Sequence, residues 1–374
     1  MAIQCTQCQF EPQNNTCPYR CPVCGGYFDY SASLIYPNSS IDRTQPGIWR
    51  YRPVFDLPDG VLPISLGEGS SPLIWDEVDT KEIGFKLDYL NPTGSYKDRG
   101  TTVLISYLSW LGVEQAIEDS SGNAGASFAG YCSRAGIHGK VYVPDYASGP
   151  KRAQIEAYGS ELIPVPGPRS NDSLAVRQEA DSGTTYASHV YQPYVLPGYA
   201  TAAFEIYEQL GSAPGSVIVP AGQGSFLLGI ARGFEALVNA GEITATPQII
   251  GVQSIACAPL WAAMQPGRGI DIHAQEGETI AEGIRIFDPL RKEQVLAVVQ
   301  SSGGKMVAVE EQDILRGRDQ LAVRGFHVEP TSAVVWQALL DNLELLREPI
   351  VVVLTGSGLK FVESSSMSSV AGEA

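Results

Sequence analysis

Asn91-Pro92-Thr93-Gly94-Ser95-Tyr96-Lys97-Asp98-Arg99-Gly100 sets one lysine in a turn. Asn91-Pro92 cannot continue a helix, and Gly94 admits a backbone conformation closed to other residues, so the chain bends before Lys97. Beyond the turn, Val103, Leu104, Tyr107, Leu108 and Leu111 carry the spacing of one buried helical face over Thr101 to Leu111. That sets Lys97 at or just inside a helix start, against the positive end of the helix dipole. Freed of its proton, a lysine amine is the nucleophile that condenses with an aldehyde. The same decapeptide also fits a solvated lysine on an ordinary first turn.

Around this turn the chain alternates. Gly84 to Leu90 reads as a short strand leading into it, and apolar strand-like runs recur at Lys140 to Pro144, Glu161 to Val165, Ser216 to Pro220, Gln248 to Val252 and Pro349 to Leu354. Helical stretches lie between several of them. The alternation predicts an α/β fold with a mostly parallel sheet covered on both faces. Ser31 to about Pro63, rich in proline, aromatic residues and turn formers, reads as an extended connection, and Gly67-Glu68-Gly69-Ser70-Ser71-Pro72-Leu73 as a loop. Glu363 to Ala374, mainly Ser, Gly and Ala, reads as a loose tail.

Three further stretches fall where a strand gives way to a helix, the place where open α/β sheets bind ligands. Ser120-Ser121-Gly122-Asn123-Ala124-Gly125-Ala126-Ser127 offers its amides and the Asn123 side chain to a ligand oxygen, or simply caps a helix start. In Val219-Pro220-Ala221-Gly222-Gln223-Gly224-Ser225-Phe226-Leu227-Leu228-Gly229, the amides of Gly222, Gln223, Gly224 and Ser225 and the Ser225 hydroxyl can hold a phosphate. The third glycine comes two places late for a dinucleotide fingerprint, and the Gly-Lys-Ser/Thr ending of a nucleotide P-loop is missing. Thr355-Gly356-Ser357-Gly358 ends the last strand and offers the Thr355 hydroxyl, or is a plain glycine turn.

The 374 residues are 44% hydrophobic and 18% charged, enough for two domains with sizeable cores. A net charge of -16 opposes binding to nucleic acid and to anionic membrane, and both are discounted as partners. Met1 to Phe10 lacks the charged start and apolar core of a signal peptide, and no apolar run approaches the roughly 20 residues of a membrane span, so the cytoplasm is the expected location. Five of the seven cysteines lie within the first 24 residues. Cys5-x2-Cys8 and Cys21-x2-Cys24, the second followed by Gly25-Gly26, give four thiolates able to close a tetrahedral zinc site in a ribbon over residues 1–35. With every position filled by protein, such a metal is structural. Cys17 either substitutes for Cys21 or stays a free thiol. Disulfides are the alternative, disfavoured in a reducing compartment, and a nucleic-acid-binding ribbon is disfavoured by the acidic chain.

Together the four stretches resemble the active site of the fold type II, tryptophan synthase β-like, pyridoxal-phosphate enzymes, and the chain is most similar to the threonine synthase family. The resemblance runs through nearly the whole length. It takes in the zinc ribbon, the Gly67 to Leu73 loop, and the lysine motif, which departs from the family only by Tyr96 for Phe. It continues through Thr201-Ala202-Ala203-Phe204-Glu205-Ile206, Gly251-Val252-Gln253, Val328-Glu329-Pro330-Thr331-Ser332-Ala333 and Leu354-Thr355-Gly356. It implies two open α/β domains with the cofactor between them: residues 36–100 with 205–374 form the large domain and 101–204 the small one. It also implies that Lys97 holds the cofactor aldehyde and later moves protons, that Asn123 bonds the ring's phenolic oxygen, that Gly222, Gln223, Gly224 and Ser225 bind its phosphate, and that Thr355 faces the pyridine nitrogen. A hydroxyl cannot keep that nitrogen protonated, so elimination and replacement are favoured over transamination. None of the four histidines is needed in that scheme, the substrate is a small amino acid, and a homodimer is the usual arrangement.

Departures gather where threonine synthases hold the phosphate of homoserine phosphate. The family pattern Asn-Pro-Tyr-Arg-x-x-Gly-Gln-Lys-Thr is here Gln192-Pro193-Tyr194-Val195-Leu196-Pro197-Gly198-Tyr199-Ala200-Thr201, with Val195 for the arginine and Ala200 for the lysine. Ala124 stands for a threonine and Ser357 for a histidine. A dianion buried without cations is costly, so weak use of homoserine phosphate is expected, unless Lys151 or Arg152 supplies the charge. Three readings follow: a threonine synthase or close relative, an ammonia-lyase or replacement enzyme acting on an unphosphorylated hydroxy or amino acid, and a noncatalytic binding protein, against which intact Lys97, Asn123 and phosphate loop argue.

Overall fold

The computed structural model describes residues 3–13, 16–146, 149–167, 170–265 and 277–361. At the N-terminus β1 (Ile3–Cys5) and β2 (Phe28–Tyr30) pair antiparallel. The rest of the chain builds two sheets. Strands β3 (Leu73–Val78) and β4 (Lys81–Leu87) come first, then β5 (Gln115–Glu118), β6 (His138–Pro144), β7 (Glu161–Val165) and β8 (Thr185–Tyr186), and finally β9 (Ser216–Pro220), β10 (Gln248–Ser254), β11 (Lys305–Val309) and β12 (Ile350–Leu354). The large sheet has the order β11-β10-β9-β12-β4-β3 and the small one β7-β6-β5-β8. All pairings are parallel except β3, an antiparallel edge joined to β4 by a hairpin.

Ten α-helices among the described residues connect them: α1 (Lys97–Trp110), α2 (Asn123–Ala135), α3 (Pro150–Ala157), α4 (Ser170–Asp181), α5 (Val195–Leu210), α6 (Ser225–Asn239), α7 (Pro259–Ala263), α8 (Lys292–Ser301), α9 (Glu311–Val323) and α10 (Pro330–Asn342). The large sheet is covered on both faces, and the period-2 geometry of a strand shows how. Val217 and Val219 of β9, with Val351 and Val353 of β12, join a core formed with α1, α2, α5 and α6. Ile218, Ile350, Val352 and Leu354 face a second core with Val334, Val335 and Leu339 of α10. The expected fold class is thereby borne out.

Local differences have physical causes. The run from Gly84 to Leu90 begins earlier as β4 and ends in a 3-10 turn at Asp88–Leu90. The stretch read as an extended connection contains a 3-10 helix, Gly47–Phe55, whose Trp49, Tyr51, Val54 and Phe55 are buried. Pro46 before it and Pro53 within it deny it an α-helical period, so aromatic packing rather than periodicity holds it. The domain limits expected at 100/101 and 204/205 fall inside α1 and α5. Glu363 to Ala374 lies outside the described residues.

Helices α1, α5 and α6 approach so closely that glycine is required where they meet. A Cβ on Gly198 would lie 2.0 Å from the Arg99 carbonyl oxygen, and one on Gly229 would lie 2.5 Å from Cβ of Tyr199.

Candidate active site

The lysine turn is pinned on both sides of Lys97. Asp98 accepts from the Thr93 amide (2.7 Å), the Thr93 hydroxyl (2.6 Å) and the Ser127 hydroxyl (2.6 Å), and burial lifts its carboxyl to about 6. Arg99 donates from Nε and Nη2 to Asp88 (2.7 and 2.8 Å) and from Nη1 and Nη2 to Glu205 (2.9 and 2.7 Å), and Glu205 also accepts from Lys86 Nζ at 2.7 Å. All four charges are buried. Burial alone would raise Glu205, but Arg99 and Lys86 outweigh it and hold the carboxyl well below the usual carboxylate range. Lys97 stays partly exposed between half-buried Tyr96 and buried Asp98, its Nζ 5.0 Å from the Tyr96 ring centroid.

The other three stretches close around this turn. The Tyr96 amide donates to the Thr355 carbonyl at 3.0 Å, the Ser357 amide to the Gly94 carbonyl at 3.0 Å, and Ser95 bridges Gly356. The Tyr96 ring stacks on Phe226 at 4.1 Å, which brings the start of α6 against it. Asn123 donates from Nδ2 to Glu329 Oε1 at 2.6 Å, and the Glu329 amide donates to the Gly356 carbonyl at 3.0 Å. Thr355 is buried and its amide donates to the Ser332 hydroxyl at 2.8 Å. Gly224, with φ +75°, precedes Ser225 at the first turn of α6, and no side chain caps that helix. Gln223 is turned away from this turn, accepting from the Leu290 amide at 3.1 Å.

Residues 64–356 match the family described as pyridoxal-phosphate dependent enzymes. The chain belongs to that family. The enzyme is 34% identical over 378 residues to the threonine synthase of Methanocaldococcus jannaschii, covering 96% of this chain and 93% of the relative. It is 34% identical to the threonine synthase of Synechocystis sp., covering 88% and 87%. Among solved structures it is similar to maize serine racemase, with TM-score 0.68, 21% identity, and coverage of 79% of this chain and 91% of that one, a likeness of fold.

Two features of the enzyme's site fit pyridoxal phosphate. The Oδ1 atom of Asn123 is buried with no hydrogen-bond partner among the described residues, which leaves a polar group for a ligand to satisfy. The uncapped start of α6, entered through Gly222 and Gly224, is the setting in which backbone amides receive a phosphate.

The departures read from the sequence divide. Val195 packs against α1, its Cβ 2.8 Å from where a Cβ on Gly100 would be. Ala200 is fully buried against Gly229 and Gly233 of α6, so it is helix interface and not a wall open to substrate. Of the two candidate cations, Lys151 reaches the site, with Nζ 2.7 Å from Glu329 Oε2, while Arg152 lies 3.5 Å from Glu156 on its own helix. Glu329 appeared in the sequence only as part of a family motif. Glu118 and His189, paired near Lys97, gave no signal, because the residues that meet are 71 apart in the chain.

In the N-terminal segment the sulfurs of Cys5, Cys8, Cys21 and Cys24 lie within 4.8 Å of one another, with Cys5 to Cys24 at 3.4 Å, Cys8 to Cys21 at 3.6 Å and Cys8 to Cys24 at 3.4 Å. No disulfide forms among the described cysteines. Four thiolates around zinc at about 2.3 Å would sit about 3.8 Å apart, so the group fits a tetrahedral metal. Cys17 stands outside it: its thiol donates to Gln192 Oε1 at 3.2 Å, and burial pushes it up to about 12. No described helix is long and apolar enough to cross a membrane.

Proposed function

We propose that the enzyme carries out a threonine synthase-like elimination or replacement on a small amino acid. The observation that carries this is the closure of four separate stretches around Lys97, in a chain one third identical to threonine synthases along nearly its whole length. Bound pyridoxal phosphate would supply an electron sink for the pair released from the substrate's Cα–H bond. Lys97 holds the cofactor and moves protons at the substrate, one amine serving as nucleophile and base. Asn123 bonds the ring's phenolic hydroxyl through the Oδ1 that has no partner among the described residues. Gly222, Gln223, Gly224 and Ser225 receive the phosphate, and Thr355 stands opposite the ring nitrogen. Cys5, Cys8, Cys21 and Cys24 hold a structural zinc, and the family resemblance supports a cytoplasmic homodimer.

Of the cations near the site among the described residues, Lys151 is already ion-paired to Glu329 and Lys360 donates to the Thr93 carbonyl at 2.8 Å. This supports weak use of homoserine phosphate. The experiment is a screen of homoserine phosphate, homoserine, threonine and serine for release of phosphate, threonine, ammonia or 2-oxo acid. Efficient conversion of homoserine phosphate to threonine would reverse the substrate preference and leave the reaction class standing. No product from any of them would count against the reaction class.

A further inference from the structure

One buried acid that feels the charge of Lys97 has no part in that scheme. Strand β5 ends at Glu118, which is 1% exposed. One carboxyl oxygen, Oε1, lies 2.5 Å from Nδ1 of His189, in the loop ahead of α5. The other, Oε2, is buried with no hydrogen-bond partner among the described residues. An unpaired buried carboxyl oxygen is destabilising, and such groups are kept where a ligand will pair them.

The groups acting on this carboxyl come from every side: Asp119 from its own loop, His189, Lys97 of α1, Cys132 of α2, Tyr199 of α5 and Tyr186 of β8. Burial first, then the like charge of Asp119, hold it well above the usual carboxyl range, with Lys97 acting the other way. Asp119 is itself occupied, accepting from the Ser173 hydroxyl at 2.5 Å and the Tyr186 hydroxyl at 2.6 Å. Glu118 is therefore a proton carrier in the field of the lysine, and its partner His189, 16% exposed, connects it to solvent.

We propose that Glu118, backed by His189, protonates the departing hydroxyl of a β-hydroxy amino acid, and so favours leaving groups that need a proton over a phosphate ester. The proposal rests on the elimination reading above. The Cα–H proton passes to Lys97 and the electron pair of that bond becomes the Cα=Cβ π bond. The Cβ–O bond breaks with its pair on oxygen, and the Glu118 proton joins that oxygen to release water. Glu118 is left as a carboxylate and regains a proton through His189. Addition of water to the resulting enamine's imine form gives a 2-oxo acid and ammonia, so the amino acid is deaminated with no oxidant. A phosphate ester departs as an anion with no such need.

The test compares serine with β-chloroalanine on the cofactor-loaded protein, because chloride leaves without a proton. In Glu118→Gln the ratio of serine to β-chloroalanine turnover should fall about 10²- to 10⁴-fold, and in His189→Asn by less. A ratio that stays within about threefold of wild type, with both rates falling together, overturns the proposal and makes Glu118 structural. Wild-type turnover of β-chloroalanine alone also overturns it, while release of ammonia from neither substrate overturns the elimination reading as well. Should Glu118→Gln fail to fold, the wild type decides: deuterium oxide should slow serine turnover more than β-chloroalanine turnover, and equal effects refute the assignment.

Discussion

Lys97 and Arg99 are two positions apart and use their charges in opposite ways. Arg99 is locked between Asp88 and Glu205, deep in the protein, whereas Lys97 keeps a side chain that ends in no ion pair among the described residues. Borohydride treatment of the cofactor-loaded protein should therefore fix the cofactor on the peptide containing Lys97, and Lys97→Ala should show neither this label nor the visible absorbance. Label on another lysine would remove Lys97 from its role. The neighbouring network predicts a stability effect. Glu205 titrates in the folded protein below its ordinary value of 4.5, so its contribution is complete above that pH and is lost as pH falls beneath it. Denaturant midpoints should drop on the acid side in wild type. Glu205→Gln should cost about 3 to 5 kcal/mol at neutral pH by leaving Lys86 without a carboxylate and Arg99 with Asp88 alone, and should flatten that acid-side fall. At this scale the sequence was legible where the candidate site sits in continuous motifs, as at the Lys97 turn and the Gly222 to Ser225 loop, both at helix starts. It was silent about Glu118 and His189, whose meaning exists only once β5 and the loop before α5 are side by side.

Helices α1, α5 and α6 form the packing unit on which the lysine turn is mounted, and their closeness sets what position 200 can be. Substituting Ala200→Lys would bury an ammonium against Gly229 and Gly233 with no partner. We expect a loss of about 3 kcal/mol or more by thermal or denaturant unfolding. Unchanged stability would show that the interface opens toward solvent. Val195→Arg, nearer the start of α1, should be better tolerated and is the variant with which to seek a gain on homoserine phosphate. Strands β9 and β12 could be read from the chain because Val-Ile-Val-Pro after Ser216 and Ile-Val-Val-Val-Leu are unbroken apolar runs, as strands buried on both faces carry. Strand β5, Gln-Ala-Ile-Glu, carries a polar residue at each end and is too short for any period to show. The aromatic 3-10 helix at Gly47–Phe55 escaped for the opposite reason, being stabilised by what lies far away: Trp49 donates to Glu68 at 2.9 Å and to Thr102 at 3.1 Å.

Across the whole molecule, the N-terminal segment is bolted to both sheets' helices. Asp29 pairs with Arg232 of α6 at 2.7 Å, and Arg20 with Asp181 of α4 at 2.7 Å. The buried Arg291 donates to the Phe28 carbonyl (2.9 Å), the Val190 carbonyl (2.6 Å) and the Tyr191 carbonyl (3.2 Å). Elemental analysis should find one zinc per chain. Its removal by chelation should expose the segment to protease and weaken cofactor binding, since Leu290 beside that arginine holds Gln223 of the phosphate loop. Metal-free protein with reduced cysteines and unchanged protease resistance would contradict the structural role. The arginine also imposes an order on biosynthesis. Phe28 and Arg291 are 263 positions apart, so the N-terminal segment gains this anchor only once the chain through Arg291 has been made. Until then it can meet Asp181 and Arg232 but not this arginine, and its full docking reports that the chain between them has been made and folded.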